Sequence, residues 1–311
     1  MSRAFGWEVD RVAGESRVEV FLEDGVVRVA YGSLLSLRGF ERLVLGRDVG
    51  DVPLIAARIC GVCSQPHFWA ASLAAEQIAG VEVTEDVARL RDLCNRLALV
   101  QNHAVHLGLL ALPDYVGRDA VERASKVVLA LNSRIDRVIR LLCGRLTSPN
   151  CYHLGRFLAG ISSRTLRLAA DTLKEAPVFL DELVTEVLRI GIPALEDPAP
   201  RYVALSGSPA VTVPRGPPYY IDAPDERRAV EPSSYGELFR ELVVGYSTSK
   251  KCLYLGEPFH VGARARLLAA LRSGTMDSES RREVAEFERV LEGNPYANLL
   301  AKALESRLVL R

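Results

Sequence analysis

The sequence predicts a mainly α protein with minor β, an α+β fold of long packed helices with an N-terminal β-hairpin and a small proline-rich β-subdomain. Three observations carry this. Leucines and valines recur at three- and four-residue intervals through residues 84–112, and similar amphipathic patterns fill 117–143 and 162–190, as expected of helices with one buried face. Residues 16–31 instead alternate around Asp24-Gly25, the signature of a hairpin. Between 191 and 235 prolines recur from Pro193 to Pro232, which forbids long helices. Apolar and aromatic residues persist there, so the stretch reads as a β excursion rather than a disordered linker.

In chain order, the hairpin is followed by a cysteine-bearing segment that turns helical after Pro66. A short apolar helix over 67–80 ends at Gly80. Thr84-Glu85-Asp86 caps the next helix, which Pro113 stops. Helices over 117–143 and 162–190 flank a loop carrying Pro149, Cys151 and His153, and the pattern is again helical over 280–310, broken at Gly293-Asn294-Pro295. The organisation is that of a single domain, 1–311, with 191–235 as its proline-rich excursion.

A chain of 311 residues can bury a large core. Its Lys+Arg and Asp+Glu counts balance at 39 each, so composition argues against nucleic acid or an anionic membrane as partner. No apolar run reaches the roughly 18 residues of a transmembrane helix, and no signal peptide opens the chain, which points to the cytoplasm. Six unevenly spaced cysteines do not suggest a disulfide framework. Cys94, Cys143, Cys151 and Cys252 stand singly.

The other two cysteines lie in Arg58-Ile-Cys60-Gly61-Val-Cys63-Ser-Gln-Pro-His67. Two cysteines three apart can aim both thiolates at one metal, and Gly61 lets the backbone turn tightly between them. His67 can hydrogen-bond a ligating sulfur or bind metal itself. Arg58 adds positive charge, which lowers thiolate pKa and suits an anionic cluster. On spacing alone a zinc knuckle, a small iron–sulfur cluster, a redox pair and two buried core thiols all stay open. His103 and His106, one helical turn apart, read as core histidines before they read as ligands.

The segment Arg58-x-Cys60-Gly61-x-Cys63-x-x-x-His67 resembles the first metal-binding motif of nickel–iron hydrogenase large subunits. Arg38-Gly39-Phe40-Glu41 with Gly46-Arg47-Asp48 is similar to the family's lead into that motif. His103-x-x-His106 with Leu-Pro-Asp114, and the stretch Gly256–Arg266, match further family segments. The resemblance implies that Cys60 and Cys63 are metal ligands, terminal and bridging respectively. His67 would hydrogen-bond a ligating sulfur, Arg58 would serve catalysis, and Glu41, 19 residues before Cys60, would bind magnesium. The implied partner is an iron–sulfur small subunit.

Departures from the family pattern accompany the match. The second cysteine pair near the family's C-terminus does not occur in this sequence. Ala13 stands where a proton-passing glutamate is expected, with Glu15 two residues on, and Ser148 replaces a histidine before Pro149. Two functions therefore stand open. One is hydrogen oxidation or proton reduction by a partial large subunit, its nickel–iron centre completed by cysteines from another chain, such as a separate C-terminal fragment. The other is a scaffold or electron-relay subunit that kept the fold and lost the metal, with no cofactor of its own.

Overall fold

The computed structural model describes residues 3–9, 15–34, 39–158, 160–196, 201–205, 219–223, 226–230 and 234–310. Its chain divides into two compact units. One combines the N-terminus to Gly39 with Pro232–Phe259, and the other holds Phe40–Glu231 and His260–Arg311.

The first unit holds the expected hairpin. Strands β2 (Glu15–Glu23) and β3 (Val26–Leu34) pair antiparallel across Asp24-Gly25, Glu23 opposite Val26. Both turn residues take positive φ, the signature of the tight hairpin turn that Asp-Gly favours. A third strand, β1 (Arg3–Val9), adds to the free edge of β2. The later segment of this unit contributes a short helix, Tyr235–Leu238, and a two-stranded ribbon, Phe239–Leu242 with Lys251–Tyr254.

The second unit is the helical body, and its α+β character is as the sequence predicts. Two short helices, α1 (Phe40–Val44) and α2 (Val52–Ala56), lead into α3 (Ser64–Ala79), which Gly80 ends in the left-handed conformation. Helix α4 (Glu85–Val105) starts after Thr84, with Glu85 and Asp86 set favourably against the positive end of the helix dipole. The expected run to Leu112 is not uniform. A π turn over His106–Ala111 and a 3-10 turn over Leu112–Asp114 complete it. Helix α5 (Arg118–Cys143) follows.

The single helix expected over 162–190 is two helices, α6 (Ser163–Leu173) and α7 (Ala176–Leu188). Pro177 is the cause: it has no N–H to bond the carbonyl of Leu173, so the first helix must stop before it. Ser162 caps α6, its hydroxyl accepting from Thr165 N at 3.1 Å. The loop before α6 contains a small antiparallel pair, Tyr152–His153 with Arg156–Phe157.

In the proline-rich excursion, Ala204–Leu205, Tyr219–Ala223 and Glu226–Val230 form a small antiparallel sheet with Tyr219–Ala223 in the middle. The remaining helices are α8 (Ala263–Ser273), α9 (Ser278–Ala285), α10 (Glu288–Gly293) and α11 (Asn298–Leu310). The main core gathers Phe68 and Trp69 of α3, Leu97 and Val100 of α4, Leu131 and Ile135 of α5, and Leu183 of α7. A second cluster joins Leu267 and Leu271 of α8 to Leu300 and Leu304 of α11. Burial at about 25 cal/mol per Å² of apolar surface makes these clusters the main source of stability.

Candidate metal centre

Cys60 and Cys63 sit between α2 and α3. After α2 the chain keeps turning, with Ala57, Arg58 and Ile59 amides donating to Pro53, Ile55 and Ala56 carbonyls at 3.0 Å. This delivers Cys60 to the start of α3, whose N-cap is Cys63. The two sulfurs meet as a disulfide across a Cα–Cα separation of 5.4 Å, and Cys63 N donates to Cys60 Sγ at 3.3 Å. Both therefore lie at the positive end of a 16-residue helix, where thiolate charge is stabilised once the pair is reduced.

Ser64 fixes this loop from behind. Its buried hydroxyl donates to Ala57 O at 2.8 Å and accepts from Ser148 N at 2.8 Å. From α4, Asn102 Nδ2 reaches Val62 O at 3.4 Å. Gly61 differs from expectation: its φ is not left-handed and open space lies over its Cα, so the turn itself does not require glycine.

The other residues marked by the sequence are placed less tightly. His67 stands in the first turn of α3, half-buried, its amide donating to Cys63 O at 3.4 Å. Burial holds its imidazole below the ordinary value, so it is neutral at pH 7, with one nitrogen donating and one accepting. Arg58 is exposed, and its guanidinium bonds Leu54 O. Glu41 is exposed on α1. Glu15 opens β2 and is exposed, while Ala13 lies outside the described residues. Among the described residues, no cluster of three or more His, Cys, Asp or Glu side chains could hold a metal ion. The chain thus brings two sulfurs together at the start of α3.

His103 is buried and His106, one turn on, is half-buried. His103 Nε2 lies 2.8 Å from Glu305 Oε2, and Arg266 holds the same carboxylate through Nε at 2.5 Å and a second nitrogen at 2.6 Å. Sequence reading misses this triad because its members are far apart along the chain. A second buried pair, Arg91 of α4 and Glu76 of α3, bonds at 2.7 and 2.6 Å. Glu76 also accepts from Gly155 N at 2.8 Å.

A Cys-x-x-Cys pair at a helix start in a helical body suits soft-metal or thiol–disulfide chemistry. The model of the nickel-dependent hydrogenase family matches residues 38–138. The alpha chain of sulfhydrogenase 2 from Pyrococcus furiosus is 32% identical over 307 residues, 96% of this chain and 70% of that protein. The alpha chain of coenzyme F420 hydrogenase from Methanothermobacter thermautotrophicus is 27% identical over 296 residues, 94% of this chain and 67% of that protein. Among solved structures, an NAD+-reducing [NiFe]-hydrogenase in its H2-reduced state superposes with a TM-score of 0.83 at 18% identity, covering 99% of this chain and 76% of that one. The Ni-Fe-Se hydrogenase of D. vulgaris Hildenborough gives 0.79 at 18% identity, over 100% and 77%. The chain belongs to the nickel-dependent hydrogenase large-subunit family. Among the described residues no helix is long and apolar enough to cross a membrane.

Proposed function

We propose that this chain is part of a nickel–iron hydrogenase large subunit, working in hydrogen oxidation or proton reduction within a cytoplasmic complex that includes an iron–sulfur small subunit. Cys60 and Cys63 supply one thiolate pair to a nickel–iron centre, whose other ligands come from outside this sequence. The observation that carries this is the meeting of the two sulfurs at the positive end of α3 with no third donor beside them among the described residues. Soft thiolates suit nickel and low-spin iron, and such a centre, when bound, supplies the heterolytic cleavage of hydrogen.

The chain's own residues have narrower tasks. The N-terminal dipole of α3 stabilises the two negative sulfurs, and Ser64 and Asn102 hold the loop that presents them. Arg58 contributes positive charge on the approach to an anionic centre. His67, neutral at pH 7, hydrogen-bonds a ligating sulfur. Glu41 offers one oxygen ligand to magnesium, whose other ligands come from elsewhere.

The test is to isolate the chain anaerobically with its native partners, measure nickel and iron per chain, and assay hydrogen–deuterium exchange. The expected result is both metals and exchange in the complex, both lost in Cys63→Ala, with no activity from the isolated chain. A complex containing this chain intact but neither nickel nor iron overturns the proposal and leaves the scaffold reading.

A further inference from the structure

Three of the cysteines that stand singly in the sequence meet in the fold. Cys94 of α4 and Cys143, the last residue of α5, are fully buried, and Cys143 Sγ lies 3.3 Å from Cys94 Sγ. Cys151 is buried on the loop after α5, with its thiol hydrogen-bonded to Cys143. All three belong to the main core cluster. The loop joining Cys143 to Cys151 carries Ser148, whose amide bonds Ser64 behind the Cys60–Cys63 turn.

A disulfide needs sulfurs at about 2.05 Å, so the 3.3 Å Cys94–Cys143 gap must close by little more than about 1 Å. We propose that Cys94 and Cys143 form a redox modification site, a disulfide that staples α4 to the end of α5. Two S–H bonds break and one S–S bond forms. The two electrons and two protons pass to a small-molecule disulfide, which is cleaved to two thiols. The Cys143 thiol is lowered by its hydrogen bond with Cys151 but raised more by that with Cys94 and by burial. The Cys151 thiol is raised by its hydrogen bond with Cys143 and then by burial. Both sit above the ordinary value, so little thiolate exists in the packed protein and exchange proceeds when the end of α5 opens. The bond is slow to form and slow to reduce. It closes a loop of 49 residues and so restricts the unfolded chain substantially.

Tryptic peptides separate the alternatives, because residues 92–96, 141–145 and 146–156 carry one cysteine each, and Cys60 and Cys63 share a peptide of their own. The full chain is incubated with oxidised glutathione, its remaining thiols are alkylated in denaturant, and it is mapped without reduction. The expected product joins 92–96 to 141–145, and raises the melting temperature by roughly 5–10 °C over the reduced protein. Cys151→Ala retains the cross-link and the shift; Cys94→Ala loses both. Complete alkylation of residues 92–96 and 141–145, or a cross-link between 141–145 and 146–156, overturns the proposal.

Discussion

The imidazole of His103 meets the carboxylate of Glu305 at 2.8 Å across 202 positions of sequence. Glu305 is fully buried in α11, and Arg266 grips its other side. The contact ties α4 to the C-terminal helix through a charged group that the surrounding core cannot solvate.

Removing the carboxylate alone should therefore be costly. Glu305→Ala leaves the Arg266 guanidinium, only 16% exposed, without its counter-charge, at an expected cost of about 3–5 kcal/mol in urea unfolding. Replacing both partners, as Arg266→Met with Glu305→Leu, should recover most of it. A double variant as unstable as the single one would show that the cost does not come from a stranded charge.

The same region makes stability depend on acid. Burial, then Lys302 and His103, pushes His106 down from its ordinary value of 6.5 to about 4. The unfolded chain thus takes up its proton first, and stability falls as pH drops from 6.5 towards 4. Burial also lowers His103, helped by Arg266 and Lys302 against Glu305. Burial opposes ionisation of Glu305, but Arg266 and His103 outweigh it and hold its pKa below the ordinary 4.5, so its contribution disappears as pH falls through that lower value. His106→Asn should reduce the slope of unfolding free energy between pH 6.5 and 4, leaving the part that comes from His103. An unchanged slope in that window would rule His106 out as its source.

Gly108 lies inside the π turn, and a Cβ there would overlap Val128 Cγ2 and touch Leu183. Gly108→Ala should cost about 1–3 kcal/mol by overpacking. Val128→Ala combined with it should cost less than the sum of the two single changes, since each relieves the other. Strict additivity in denaturation would contradict the close approach of α5.

Ser64→Ala removes the hydroxyl that links Ala57 O to Ser148 N. Loss of the two bonds should lower stability by about 1–3 kcal/mol. The change should also weaken nickel retention in the assembled complex by loosening the turn that presents Cys60 and Cys63. Full retention after a dialysis challenge would show that the loop holds its shape without this support.

The sequence reveals the elements that repeat a local rule. The Asp24-Gly25 turn, Gly80 after α3 and the proline-rich excursion are each legible because one or two neighbouring residues decide the backbone. The Cys60–Cys63 pair is legible from its three-residue spacing, although Gly61 is not what turns the chain. Pro177 is equally visible, yet the amphipathic pattern runs through it and hides the break between α6 and α7. The triad of Arg266, Glu305 and His103, and the meeting of Cys94, Cys143 and Cys151, depend on tertiary packing between segments far apart in the chain, which no local period encodes.

The π turn over His106–Ala111 is what a helix becomes when one residue is inserted while both flanks keep their packing. Helix α4 packs against α11, and Leu112 is buried in the core, so the surplus residue is absorbed as a local widening. Deleting one residue there would wind the helix regular and turn its two halves by about 100° relative to each other, taking either His103 off Glu305 or Leu112 out of the core. Length in this segment is thus locked by both of its ends, and natural insertions and deletions should be rarer here than in the loops on either side.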